Sequence, residues 1–164
     1  MADSARLQYS GIKEGMRTNG TSGEKILTEE LLDRLLASNS IEAYLDEEKI
    51  KDRELVDYLQ FLLARHGLKR ADVARASGLN ATVVYDIFAG KSRPGRDHAI
   101  MLAFGLRCDV RETQRVLRFA GVSELWCRQR RDAIILWCVQ QGFDRASTDD
   151  ELHRFGEPTL LSVD

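Results

Sequence analysis

The sequence predicts an all-α protein of about nine short helices. Apolar residues recur with a helical period along most of the chain, and no segment alternates for long with the period of two that strands require. Glycine follows most of the periodic segments, as it commonly does where a helix ends. The chain has 164 residues, of which 43% are hydrophobic, so it can bury a core without disulfides or a structural metal.

The N-terminal part divides into a leader and a helical extension. Residues 1–25 are rich in Gly, Ser, Thr and Asn and have no apolar period, which predicts a disordered leader. Residues 26–52 are predicted to form two helices, the first N-capped by Thr28 and the second opened by Asn39 with Glu42. The apolar residues of this extension are Leu31, Leu32, Leu35, Leu36, Ile41, Tyr44 and Leu45.

Residues 53–121 are predicted to form a domain of five helices. Each helix has a punctuating residue at one end or both, such as Gly67, Gly78, Asn80 or Gly90. The predicted segments are Leu55–His66, Lys69–Ser77, Ala81–Ala89, Arg96–Gly105, and a helix opened by Asp109 with Glu112 that ends at Gly121.

Residues 122–164 are predicted to form a helical hairpin packed on that domain. Its first helix is Arg128–Gln141, and its second is opened by Asp144 or Thr148 and ends at Gly156.

An internal repeat with an offset of 35 residues supports this hairpin. Arg96-Asp97 recurs as Arg131-Asp132. The other matching residues are Asp109, Thr113, Leu117 and Gly121, which recur as Asp144, Thr148, Leu152 and Gly156. We interpret each copy as a helical hairpin, the second extending the core of the first; the alternative is chance similarity between two capped amphipathic helices.

Charge is distributed unevenly along the chain. The formal net charge is −2, but residues 69–132 carry 13 Lys and Arg against 7 Asp and Glu. Residues 1–60 carry 8 against 13, and residues 133–164 carry 2 against 6. A basic middle between acidic ends indicates that one segment meets an anion, unless it is only an Arg-rich solvated surface.

The segment from Arg70 to Lys91 carries the most specific motif. It predicts two short helices joined by a tight turn at Gly78, where glycine tolerates a positive φ. Ala74 is small enough for the helices to cross closely. The second helix would bury Leu79, Val84 and Ile87 and point Ala81, Thr82, Tyr85 and Asp86 outward, which is the pattern of a DNA-reading helix-turn-helix.

Residues 54–121 resemble the Cro/repressor-type (XRE) helix-turn-helix family, a five-helix domain. Arg70 stands at the family's Gln position, Val73-Ala74 at Leu-Ala, and Gly90, Lys91 and Pro94 match the family's Gly-Lys-x-x-Pro. The wider segment 26–164 resembles bacterial, mainly clostridial, XRE-type regulators with an N-terminal helical extension. These regulators end in a tail like Arg-Arg-Asp-Ala-Ile-Ile at 130–135, followed by Glu-Leu-x-x-x-Gly-x-Pro at 151–158.

The resemblance implies a transcriptional regulator that binds sequence-specific double-stranded DNA and acts by occupancy. Its recognition helix, Asn80–Ala89, would enter the major groove. The implied base-reading residues are Asn80, Ala81, Thr82, Tyr85 and Asp86. The implied phosphate-binding residues are Lys69, Arg70, Lys91, Arg93 and Arg96.

A second hypothesis stays open, because the reading face lacks the Gln and Arg that make bidentate base contacts. The chain could instead be a protein–protein interaction module on a helix-turn-helix scaffold that has lost DNA binding. Partners could then be other proteins, and under either hypothesis a second copy of the chain. No paired carboxylates, activated nucleophile or ligand constellation is evident, so we expect no enzyme activity, cofactor or metal.

Composition favours a cytoplasmic protein without a membrane span. Cys108, Cys127 and Cys138 are predicted to be free, mostly core, thiols, and Trp126 and Trp137 to be core or hairpin anchors. The arginine cluster 128–131 either extends the DNA footprint or pairs with the acidic N-terminal helices, and we favour the pairing.

Overall fold

The computed structural model describes residues 21–48 and 54–162, and within these ranges it confirms the all-α class. These ranges contain helices and connecting turns and no strand. The helices are α1 (Thr21–Ala37), α2 (Ile41–Glu48), α3 (Glu54–His66), α4 (Arg70–Ser77), α5 (Ala81–Phe88), α6 (Arg96–Gly105), α7 (Val110–Phe119), α8 (Arg130–Gln140) and α9 (Arg145–Arg154).

The described residues form two compact units, 21–48 and 54–162. In the first unit α1 begins at Thr21, so the predicted N-cap at Thr28 is wrong, and residues 21–25 are helical rather than part of a leader. The helix extends upstream because Glu24, Lys25 and Leu27 are good helix formers. The remainder of the predicted leader, residues 1–20, lies outside the described residues.

Helix α2 is capped by Ser40 rather than by Asn39. The Ser40 hydroxyl accepts a hydrogen bond from the Ala43 amide at 3.1 Å, which is the position an N-cap side chain serves. Tyr44 is buried and donates its hydroxyl to the Leu31 carbonyl at 3.3 Å, which ties α2 to α1. Apolar residues left exposed in this unit are Leu32, Leu36, Ile41 and Leu45.

The second unit has one continuous apolar core. Helix α3 buries its predicted stripe, and the core continues through α6 and α7. The second hairpin adds Ile135, Leu152 and Leu160 to the same core. The hairpin therefore extends the core as the sequence predicts. The α3 stripe consists of Leu55, Val56, Leu59, Leu62 and Leu63.

Local signals determine where the helices of this unit begin. Asp109 and Glu112 form a reciprocal capping box, in which each side chain accepts the other's amide, at 2.8 and 3.1 Å. Asp144 caps α9 by accepting from the Ser147 amide at 2.7 Å. Thr148 is instead a buried residue inside the helix. Of the two predicted openings of this helix, the structure selects Asp144.

The 35-residue repeat is visible in the contacts of the two hairpins. The hydroxyls of Thr113 and Thr148 donate to the carbonyls of Asp109 and Asp144, at 2.7 and 2.8 Å. The repeat also extends beyond the residues that reveal it in the sequence. The amides of Leu125 and Leu160 donate to Gln114 and Asp149, at 2.7 and 2.6 Å, and both pairs are again 35 residues apart. These shared contacts favour a true repeat over chance similarity.

No helix in the described part of the chain is long and apolar enough to cross a membrane.

Candidate nucleic-acid interface

Helices α4 and α5 are joined by a turn of three residues, 78–80. Gly78 has φ 79°, a left-handed conformation that a residue with a Cβ rarely adopts. Asn80 then caps α5, because its side-chain oxygen accepts the Thr82 amide at 2.8 Å. The turn therefore ends one helix and starts the next within three residues, and it fixes the direction of α5.

Helix α5 has one buried and one exposed face. Val84, Ile87 and Phe88 are buried in the core. Ala81, Thr82 and Tyr85 are exposed, as the sequence predicts, whereas Asp86 is half-buried. Leu79, predicted to be buried, is half-buried and packs against the core.

Tyr85 is positioned by a basic side chain from α4. The Arg70 guanidinium lies over the Tyr85 ring, 5.3 Å from its centroid. A shallow depression of about 440 Å³ lies here, lined by Leu63, Lys69, Arg70, Ala71 and Tyr85. The first turn of α4 and the middle of α5 thus share one surface that carries two cationic groups and a phenol.

The predicted phosphate contacts fall into two groups. Lys69, Arg70, Lys91 and Arg93 are exposed, the first two at the start of α4 and the others just after α5. Arg96 is half-buried, and its guanidinium is held by groups of the second unit. It donates to both carboxylate oxygens of Asp132, at 3.0 and 2.7 Å, and to the carbonyls of Ser123 and Glu124. These contacts give Arg96 a structural role within the second unit.

Asp132 is the buried partner of Arg96 and is 2% exposed. Burial alone would raise the pKa of Asp132. The bonds from Arg96 and from the Trp126 amide more than offset this, so the pKa lies below its usual range. The carboxylate is therefore ionised throughout the neutral range and remains a strong acceptor.

A second ion pair of the same kind lies at the positions that the 35-residue repeat relates to Arg96 and Asp132, with the arginine now in the second hairpin and the aspartate in the first. Arg131 donates to both oxygens of Asp97, at 2.9 and 3.0 Å, and to the carbonyls of Pro158 and Thr159. The arginine of each repeat thus pairs with the aspartate of the other repeat. Each arginine also holds the last segment of its own repeat, since 123 and 124 are equivalent to 158 and 159.

The arginine cluster 128–131 was predicted to pair with the acidic N-terminal helices. The structure instead gives Arg131 the partner Asp97, and Arg130 the partner Glu157 at 3.2 Å. Both partners lie in the second unit. Charge composition could not identify these partners, because it does not tell which acidic residue a fold brings near.

Sequence reasoning missed the role of Arg145. A Cβ atom placed on Gly78 would lie 2.7 Å from the Arg145 Nε atom, so this side chain lies directly against the turn before α5. Arg145 also donates to Asp149 at 2.5 Å. Helix α9 therefore supports the turn that directs α5, and the positive φ is what requires glycine there, because the flexible end of the Arg145 side chain could move away from a Cβ atom.

Other residues singled out in the sequence lie outside this surface. Cys108 and Cys138 are buried free thiols, whereas Cys127 is exposed. Trp126 and Trp137 are both exposed, so neither anchors the core; Trp137 instead contacts Phe143 in the turn of the second hairpin. Within the described ranges, no group of three or more His, Cys, Asp or Glu residues is arranged to hold a metal ion.

Comparison with known proteins finds no matching family model, no matching curated protein and no matching solved structure.

Proposed function

We propose that this chain binds double-stranded DNA through α5 and acts as a transcriptional regulator by occupying its site. The observation that carries the proposal is the surface formed by the exposed face of α5 together with Lys69, Arg70, Lys91 and Arg93. A helix with exposed residues at its N-terminal end, flanked by basic groups, suits major-groove docking. The Cro/repressor-like arrangement of α3 to α7 that the sequence resemblance implies is part of this proposal.

Base recognition in this proposal rests on few side chains. Asn80 uses its oxygen to cap α5, which leaves its amide nitrogen to donate to a base. Thr82 can make a hydrogen bond or contact a thymine methyl, and Ala81 offers only an apolar contact. Asp86 is half-buried and so contributes less than the exposed residues. We therefore expect modest discrimination between sequences, with a share that comes from DNA shape.

Phosphate binding in this proposal uses four basic residues. Arg70 lies over the Tyr85 ring, so its guanidinium is already oriented before DNA arrives. With Arg96 engaged by Asp132, the four candidates are Lys69, Arg70, Lys91 and Arg93. Four neutralised phosphates give a log–log salt slope of about −3.6, at roughly 0.9 per phosphate.

The test is binding of the purified full chain to duplex DNA across a salt series, read by fluorescence anisotropy. We expect binding at 50 mM salt, the low end of the range where such contacts are strong, with a slope of about −3 to −4. Arg70→Glu and Lys91→Glu should each abolish or greatly weaken it. Arg111→Glu, at an exposed position on α7, is the matched control and should change binding little.

The alternative hypothesis, a protein-interaction module on the same scaffold, predicts that the chain does not bind DNA. A folded, monodisperse sample that does not bind DNA at low salt would exclude the regulator proposal. Binding that is equally weakened by Arg111→Glu would point to a diffuse effect of net charge rather than to the α5 surface.

A further inference from the structure

An open apolar groove lies on the second hairpin, between α8 and α9. It has a volume of about 300 Å³. Its lining residues are Ala133, Ile134, Trp137, Glu151, Arg154 and Phe155. Trp137 is 53% exposed and Phe155 is 41% exposed. Trp137 is held in place by Phe143, whose ring meets it edge-on at 5.4 Å, so the groove has a defined wall.

The internal repeat identifies the equivalent face on the first hairpin, and there it is covered. The 35-residue offset pairs four of the groove residues with residues of α6 and α7 that are all buried. These four are Ile134, Trp137, Glu151 and Phe155. These equivalents are Ala99, Leu102, Val116 and Ala120. Large exposed side chains on one hairpin therefore occupy positions that are fully enclosed on the other.

Helix α3 packs on the first hairpin. The Tyr58 ring of α3 meets the Phe119 ring of α7 at 5.2 Å, and Phe119 is equivalent to the groove residue Arg154. Farther along α3, His66 contacts Glu112 of α7 at 3.1 Å. The element that packs against the first hairpin at Phe119 is thus an amphipathic, leucine-rich helix.

We propose that the groove between α8 and α9 binds an amphipathic helix of a partner protein, in the position that α3 occupies on the first hairpin. The contact would be a helix in a groove, with apolar side chains at helical spacing inserted toward Ile134 and between Trp137 and Phe155. This inference is independent of DNA binding, because it involves neither α5 nor the basic groups around it.

The rim of the groove defines the charge of the partner helix. Arg154 and Arg130 both lie over the Phe155 ring, at 4.2 and 5.9 Å from its centroid. Their side chains are exposed, whereas the glutamates that pair with them, Glu151 and Glu157, are half-buried. The rim therefore presents guanidinium groups outward, and a helix with Asp or Glu beside its apolar stripe complements it.

The groove has larger side chains than the equivalent face of the first hairpin, which favours smaller side chains on the partner helix. Trp137 replaces Leu102, and Phe155 replaces Ala120. Both replacements are larger than their equivalents and leave less room for the side chains of a covering helix. We expect the partner stripe to be made of Leu, Val and Ala rather than of aromatic residues.

The test is a selection from a displayed library of helical peptides that are randomised on one face and screened on the full chain. We expect enrichment of helices with apolar residues at i, i+3, i+4 and i+7 flanked by acidic residues. Trp137→Glu and Phe155→Glu should each weaken binding of the enriched peptides by about tenfold or more. Trp126→Glu is the matched control, since Trp126 is also 53% exposed and lies outside the groove.

Three outcomes would overturn the proposal. The first is a selection that enriches no helix over the Trp137→Glu chain. The second is peptide binding that survives both groove variants while circular dichroism shows that the variants are folded. The third is concentration-dependent dimerisation of the chain, by sedimentation, that Trp137→Glu abolishes, because the occupant would then be a second copy of the chain.

Discussion

Replacing Asp132 by Asn tests whether the reciprocal ion pairs hold the two hairpins together. The Asp132 carboxylate accepts three hydrogen bonds, two from Arg96 and one from the Trp126 amide at 2.9 Å. The substitution keeps the shape of the side chain but removes its charge and one acceptor oxygen. Arg96 would then lack its counter-ion at a position that is only 28% exposed.

The expected loss of unfolding free energy is about 2–4 kcal/mol. Breaking a buried ion pair costs about 3–5 kcal/mol, and partial exposure of Arg96 places this site toward the lower end. The matched control is Asp97→Asn at the equivalent position of the first hairpin. Asp97 receives the same two bonds from Arg131, which is itself only 18% exposed, but Asp97 is 42% exposed and water can take the place of its carboxylate, so its loss should be smaller, at about 1 kcal/mol.

Urea unfolding followed by circular dichroism measures both values. With a slope of about 1–3 kcal/mol/M, the midpoint of Asp132→Asn should fall by about 1 M or more, and that of Asp97→Asn by far less. The difference between wild type and Asp132→Asn should also shrink in acid. The depressed pKa of Asp132 stabilises the fold above the unfolded-state pKa of about 3.9, and this contribution disappears as pH falls through the folded-state value. Equal midpoints for the two variants would refute the reasoning.

Two further predictions concern packing and thiol chemistry. Gly105→Ala should lower the unfolding free energy by about 1–3 kcal/mol, because its Cβ would lie 2.7 Å from the Val73 carbonyl oxygen of α4. Gly95→Ala, which meets nothing within 4 Å, should cost about 1 kcal/mol at most, and a similar loss for both variants in urea unfolding would contradict the close α4–α6 approach. Native protein treated with a maleimide should be labelled rapidly at Cys127 alone, because Cys127 is exposed and burial raises the pKa of Cys108. Mass spectrometry that finds Cys108 modified as fast as Cys127 in folded protein would contradict its burial.

Helix boundaries in the second unit could be predicted from sequence because their determinants are local. Asp109 and Glu112 need only each other to start α7, and Asp144 needs only the next turn of its own helix to start α9. The predicted N-cap at Thr28 was wrong for a reason that is also local. A single Thr competes weakly with helix-forming neighbours on its N-terminal side, so α1 continues past it.

The role of Arg96 could not be predicted in the same way. Its place just after α5 predicted a phosphate contact, but its partner Asp132 is 36 positions away in the sequence and adjacent in space. The repeated Arg-Asp pairs contained a usable signal, since two copies of one motif in packed hairpins can exchange partners. The surroundings of Trp137 had no such signal, because an apolar residue on a helix does not reveal whether another element covers it.

The two hairpins share their caps, their ion pairs and the bonds that hold their last segments, yet they differ in what covers them. Gly105 in the first hairpin lets the α4 backbone approach closely, and the equivalent residue in the second hairpin is Gln140, whose side chain is exposed. Trp137 and Phe155 are larger than their equivalents Leu102 and Ala120, so they hold a covering helix farther from the hairpin. The second hairpin therefore cannot accept a helix pair packed as closely as α3 and α4. Its outer face suits a single helix lying on the aromatic residues, while its inner face supports the turn before α5 through Arg145.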